Sequence, residues 1–170
     1  MKTRVDDDRR SAAERRDVVR HGRVLIEKLK NTPLFRDFTP DKYAGFIAIA
    51  AQKEMRAGAV IYRAGNNSND IYVLIEGILE VSVGGKSINM ISPISFVGEM
   101  EFMSGEPRTA SVTSKTDSIL LRFSRRELER IFQGDSELHI TFLESIVADL
   151  SSKLFRMNKV FATMKDRRKP

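Results

Sequence analysis

The chain has 170 residues, 41% of them apolar, which suits one domain with a packed core and flanking helices rather than two domains. It contains no cysteine, so disulfides, thiolate zinc sites and cysteine nucleophiles are excluded. The net charge of +6 is confined to the ends: ten basic against six acidic residues in 1–30, twelve against thirteen in 31–135, and seven against four in 136–170.

The opening Met1-Lys2-Thr3-Arg4, followed by Asp6-Asp7-Asp8, carries no apolar run suited to a signal peptide or a membrane span. A cytoplasmic location and no membrane partner are therefore expected. Residues 1–31 read as an N-terminal basic helical extension, in which Val18, Leu25 and Leu29 form one modest apolar stripe that needs a partner. Thr32-Pro33 ends that helix, because the residue before proline is pushed out of the helical region. A second helix is expected over 40–51, with Tyr43, Phe46, Ile47 and Ala50 on one face.

From about residue 53 to residue 123 the texture changes to short β-branched runs punctuated by Gly, Asn, Ser and Pro. Strands are expected at 60–62, 71–75, 78–83, 87–91, 110–113 and 118–123. Gly84-Gly85 marks a hairpin turn, since both positions tolerate positive φ. Several short antiparallel strands closed on themselves predict a mainly β fold, a jelly-roll β-barrel with flanking α helices. Its span is taken as 32–135.

Ser124 is a plausible N-cap, with Glu127 completing a capping box for a helix running to Gly134. Asp135 or Ser136 then starts a long C-terminal helix, 136–162, in which Ile140, Leu143, Val147, Leu150, Leu154, Met157 and Phe161 alternate steps of three and four. That seam serves equally to pack on its own barrel or to pair two chains. The remaining 163–170 read as a disordered charged tail.

The chemistry-bearing segment is the cassette 96–112. Gly98-Glu99-Met100-Glu101-Phe102-Met103 reads as a helical turn inserted between strands, whose free N–H groups suit an anion. Arg108, at the mouth of the next strand, could grip two phosphate oxygens at once. Glu99 is a carboxylate favoured at the same cationic helix end and able to accept from a ribose hydroxyl.

With these residues the sequence resembles the cyclic-nucleotide-binding domain family of catabolite activator proteins, cyclic-nucleotide-dependent kinases and gated channels. The resemblance covers about residues 33–160. It begins at Pro33-Leu34-Phe35, runs through Ala64-Gly65-Asn66-Asn67-Ser68-Asn69-Asp70-Ile71-Tyr72-Val73 and Glu76-Gly77, and peaks at Gly98-Glu99 and Pro107-Arg108-Thr109-Ala110-Ser111-Val112. It implies that Glu99 holds the ribose 2′-hydroxyl and Arg108 pairs the cyclic phosphate. Backbone N–H groups near Met100 and Ala110 would complete the phosphate cradle, with Gly98, Glu101 and Thr109 also at the ligand. Thr109 matches a position that bonds either the phosphate or the 2-amino group of a syn guanine and does not settle cAMP against cGMP; cAMP is taken slightly ahead as the ligand.

Val81, Ile91 and Val97 are implied as pocket walls, and Leu150 and Lys153 on the long helix as a cap over the base. The sequence departs from the family at Ile94-Ser95, where Gly-Asp is usual, and at Glu101, which replaces a small residue. A second carboxylate this close to the phosphate site would either weaken an anion or point to solvent, as helix surface residues do, and the solvent position is the one expected.

The resemblance implies a sensor or regulatory protein that signals through helix movement to an effector protein or to a homodimer mate, the latter through Leu143, Val147, Leu150, Leu154 and Met157. Alternatives are an interaction scaffold with a degenerate cassette, and a nucleic-acid binder acting through basic tails. The two histidines, His21 and His139, lie in flanking helices, so a metal-centred barrel enzyme is not expected. No enzyme activity, metal or catalytic cofactor is anticipated. A conventional DNA-binding module needs dozens of residues after the long helix, and only about ten follow Val160.

Overall fold

The computed structural model describes residues 29–30 and 32–166, and in its last turns the side chains of 160 and 163–166 are outside that description. The expected helix over 11–30 lies outside the described residues apart from Leu29 and Lys30, as do His21 and the end of the tail, 167–170. Residues 163–166, placed in the tail from sequence, continue the last helix instead.

A helix, α1 (Pro40–Ala48), precedes eight strands: β1 (Ala51–Met55), β2 (Val60–Tyr62), β3 (Ile71–Glu76), β4 (Leu79–Val83), β5 (Lys86–Ile91), β6 (Ser95–Val97), β7 (Ser111–Ser114) and β8 (Ser118–Phe123). A short helix, α2 (Glu99–Ser104), stands between β6 and β7, and α3 (Arg125–Gly134) and α4 (Ser136–Asp166) follow β8. The strands form two antiparallel four-stranded sheets, ordered β1-β8-β3-β6 and β2-β7-β4-β5. The fold is thus the expected β-roll flanked by helices, with a long helix at its C-terminal side.

Two strands were not anticipated. β1 has the composition Ala-Gln-Lys-Glu-Met, with no β-branched residue, and is largely exposed; pairing with β8 through all five residues makes it a strand. It also shortens α1, which stops at Ala48 rather than near residue 51. β6 is only three residues long, but all three are buried. Ile94, in the turn without the usual Gly-Asp, packs against the core.

The continuous apolar runs in β3 and β8 follow from their central positions, because both faces of the first sheet are covered. Ile71, Val73 and Ile75 of β3, with Leu121 and Phe123 of β8, face the helices. Leu74 and Leu120 point the other way and join Tyr62, Leu79, Val97 and Val112 between the sheets. Gly84 and Gly85 form the two-residue β4–β5 turn, both at positive φ.

The helix-side core is aromatic. Phe46 of α1 is wholly buried, stacks on Phe123 at 4.3 Å and meets Phe35, Phe38 and Phe142. Ser124 caps α3, accepting from the Glu127 N–H, while its hydroxyl donates to the Glu127 carboxylate. Asp135 caps α4 through the Leu138 N–H.

Along α4 the buried stripe is Leu138, Phe142 and Ile146, continued by half-buried Leu150. Of the heptad seam, Ile140, Val147, Leu154, Met157 and Phe161 are exposed. The seam is therefore split: these five are turned away from the barrel, whereas Leu150 packs on it. Among the described residues no helix is long and apolar enough to cross a membrane.

Phe46→Ala should cost about 3–5 kcal/mol, because it opens a cavity among four rings. Ile88→Ala on the exposed strand β5 should change stability by no more than about 0.5 kcal/mol. Urea unfolding midpoints of the two variants check the difference.

Candidate functional site

The site is organised around Arg108, which lies between α2 and β7 and is only 2% exposed. Its backbone is fixed first: the Arg108 N–H donates to the Asn66 carbonyl at 2.9 Å, and its carbonyl accepts from the Gly65 N–H at 2.7 Å. The loop that precedes β3 is thereby tied to the entrance of β7. Asn66 closes that loop on itself by accepting from the Arg63 N–H, and Ser111 Oγ accepts from the Ala64 N–H.

The guanidinium then runs beneath α2. Nη1 donates to the Gly98 carbonyl at 3.0 Å and to Glu101 Oε2 at 3.3 Å, and Nη2 donates to the Asp70 carbonyl. The Tyr62 ring covers the cation at 4.2 Å. Burial holds the Tyr62 phenol above its ordinary range, so the ring stays neutral against the charge. Arg108 Nε is buried and has no hydrogen-bond partner among the described residues.

Gly98 is required by this geometry. Its φ is +82°, and a Cβ there would stand 2.4 Å from Arg108 Nη1. The three motif blocks that looked separate in the sequence meet at one side chain: Asp70 from the first, Gly98 and Glu101 from the second, Arg108 from the third.

Glu101 does not point to solvent. It is 4% exposed, and its Oε1 accepts from the Thr109 N–H at 3.0 Å and from the Thr109 hydroxyl at 2.7 Å, while Oε2 takes Arg108. A lone helical turn beside a cationic strand entrance has no free outer face at this position. Burial opposes ionisation of Glu101, but the bonds from Thr109 and Arg108 outweigh it and hold the carboxyl below its ordinary value.

Glu99, two residues earlier, is also buried but faces α4. Its Oε1 accepts from Lys153 Nζ at 2.6 Å, and the same ammonium donates to the Phe96 carbonyl at 2.7 Å and lies 2.7 Å from Asp149 Oδ2. Asp149 Oδ1 accepts from Ser95 Oγ. Burial pushes the Glu99 carboxyl up, against the pull of Lys153. Lys153, placed near the base from sequence, is thus brought to Glu99.

The other expected residues are spread around this centre. Met100 is exposed on the outer face of α2, Thr109 and Ala110 lead into β7, and Val81, Ile91 and Val97 line the space between the sheets. Leu150 packs on the helix-side core. Sequence reasoning gave no role to Tyr62, Asp70 or Asp149. Asp149 and Lys153 do carry a signal, an acid and a base one helical turn apart.

Residues 52–135 match the family model of the cyclic nucleotide-binding domain. They belong to that family, a regulatory ligand-binding domain that is generally not catalytic. The chain is 27% identical over 107 residues to a cAMP-dependent protein kinase type II regulatory subunit from Drosophila melanogaster, covering 63% of this chain and 28% of that protein. It is 29% identical over 124 residues to a cyclic nucleotide-gated potassium channel from Mesorhizobium japonicum, covering 73% of this chain and 33% of the channel. The match thus spans a third or less of these curated relatives' lengths. The structure of a cyclic nucleotide-binding domain from Methylobacillus flagellatus superposes with a TM-score of 0.68 at 15% identity, covering 79% of this chain and 76% of that one, a likeness of fold.

The two acids have opposite pH signatures. Glu101, held low, contributes stability that is present above the unfolded value near 4.5 and is lost as pH falls through the lower folded value. Glu99, held high, opposes folding progressively as pH rises from 4.5 through its raised value. Glu101→Gln should therefore be about 1–3 kcal/mol less stable than wild type at pH 7, with the gap closing at acid pH. Glu99→Gln should lack the wild-type decline between pH 4.5 and neutrality. Urea titrations across that range measure both slopes.

Proposed function

We propose that this chain is a cyclic nucleotide sensor or regulatory protein that binds cAMP or cGMP between the sheets and signals through α4. The observation that carries this is the close approach of the Arg108 guanidinium to Gly98 beneath the α2 turn, at the positions where the family resemblance puts the phosphate contacts, with Glu99 on the other side of the same turn. Thr109, Ala110 and the backbone near Met100 would complete the phosphate cradle. Val81, Ile91 and Val97 would wall the ribose and base, and Leu150 and Lys153 would respond on the helix side. The name of the Drosophila relative specifies cAMP, which supports placing cAMP slightly ahead. The location proposed is cytoplasmic.

Lys153 supports the signalling step, because it links Glu99, β6 and α4 in one cluster. A ligand hydroxyl that donated to Glu99 would compete with the Lys153 ammonium for that carboxylate, and the position of α4 would then depend on occupancy. The output would pass to an effector protein or to a second copy through the exposed seam of Val147, Leu154 and Met157, flanked by half-buried Leu143 and Leu150.

A second reading, an interaction scaffold with a retired cassette, is favoured by one observation: the Arg108 guanidinium already holds an anion from its own chain. Calorimetry with cAMP and cGMP on wild type and Arg108→Ala separates the two. Each lost charge-assisted bond is worth about 1.5–3 kcal/mol, so the variant should bind about tenfold to hundredfold more weakly. Equal heats for both folded proteins would reject the site, and no heat for either would favour the scaffold.

The seam is tested by Val147→Glu, a substitution on an exposed side chain. A dimeric parent should elute as a monomer after the change; a parent that is already monomeric would reject pairing through α4.

A further inference from the structure

The anion site around Arg108 is filled by the protein itself. Three donors from two residues converge on one carboxylate: the Thr109 N–H and hydroxyl on Glu101 Oε1, and Arg108 Nη1 on Oε2. This is the arrangement that two anionic oxygens of a phosphodiester would ask for, since both groups present a pair of oxygens on one centre. The occupant fits incompletely, however. The Nη1 contact is long for a charge-assisted bond, at 3.3 Å, and Arg108 Nε is buried with no partner. A carboxylate on the short α2 turn reaches one side of the guanidinium and leaves a donor over.

We propose that Glu101 is a built-in competitor for the ligand phosphate, which holds the phosphate donors in the empty site and sets the ligand concentration at which the site fills. The proposal rests on the cyclic nucleotide reading above. The physics has two parts. A buried guanidinium without an anion is strongly unfavourable, and Glu101 removes that penalty when no ligand is bound. The same contact must then break, because two anions cannot share these donors without strong repulsion at close range. Only the fraction of molecules with Glu101 displaced is competent, so the apparent affinity falls by that fraction.

Glu101 is suited to such an exchange by its position. It sits on a six-residue helix, α2, whose Met100 and Met103 side chains are exposed, so that short helix is not packed on every side. Glu99 is engaged with Lys153 on the opposite side and is not part of the competition.

The test is calorimetric titration of cAMP and cGMP into the full chain as wild type, Glu101→Ala, Glu101→Gln and the double variant Glu101→Ala with Arg108→Ala, with a thermal melt confirming that each is folded. Both single variants should bind about tenfold or more tightly than wild type, and the double variant should lose that gain. Binding by wild type with equal or weaker affinity in both folded single variants would overturn the competitor role while leaving the nucleotide reading intact. No binding by wild type or by either single variant would overturn the nucleotide reading and this inference with it. Binding by the single variants alone would support the competitor role in its strongest form.

Discussion

The structure depends on a guanidinium kept out of water. Arg108 is the largest fully buried side chain among the described residues, and an ion of that size must find charge and hydrogen bonds inside the protein or the fold will not hold it. Its needs account for features that otherwise look unrelated. Gly98 lacks a side chain because Arg108 passes within van der Waals reach of its backbone. The loop from Ala64 to Asp70 is pinned to β7 because it supplies carbonyls to both the Arg108 backbone and its side chain. Tyr62 turns a ring face rather than a hydroxyl toward the cation.

Two carboxylates on one short helix serve opposite neighbours. Glu101 looks toward β7 and is stabilised as an anion, whereas Glu99 looks toward α4 and pays more in burial than Lys153 returns. The difference is one of donors. Glu101 receives two hydrogen bonds from Thr109 in addition to the arginine, while the ammonium opposite Glu99 is shared among Glu99, Asp149 and the Phe96 carbonyl. A shared cation holds each of its partners less firmly, and the more weakly held carboxylate is the one facing the helix α4 rather than the sheet.

Much of this was legible in the sequence, and the exceptions have physical causes. The strands of the central pair could be read because burial on both faces makes them continuously apolar, and the Gly84-Gly85 turn because only glycine enters two successive positive-φ positions cheaply. β1 could not, since Ala51–Met55 is a strand only by virtue of its partner β8. On α4 two apolar stripes coexist, and the three-four spacing selects the wrong one for the core: Phe142 decides the matter by meeting Phe46, Phe96, Phe102 and Phe132, contacts that no helical periodicity contains. Glu101 was misplaced for a similar reason. Its partner lies seven residues on, beyond a reversal at Gly105 whose φ of +75° turns the chain back toward α2. Solvent exposure is the usual fate of a glutamate in a helix, and only the folded loop brings Arg108 and Thr109 within reach.

The same geometry constrains how the cassette and α4 can influence each other. α4 is anchored along its first half by Leu138, Phe142 and Ile146, side chains with no charge and no reason to respond to a ligand. From Asp149 onward, Leu150 apart, its hydrogen bonds to the barrel side are polar contacts: Asp149 to Ser95, and Lys153 to β6 and Glu99. Polar contacts are short-ranged in direction and sensitive to competing donors, whereas the apolar anchor is neither. Among the described residues Glu99 meets α4 through Lys153, past the apolar anchor of Leu138, Phe142 and Ile146. Of the exposed seam residues, Leu154, Met157 and Phe161 lie on that distal half with Lys153, whereas Ile140 and Val147 lie on the anchored half.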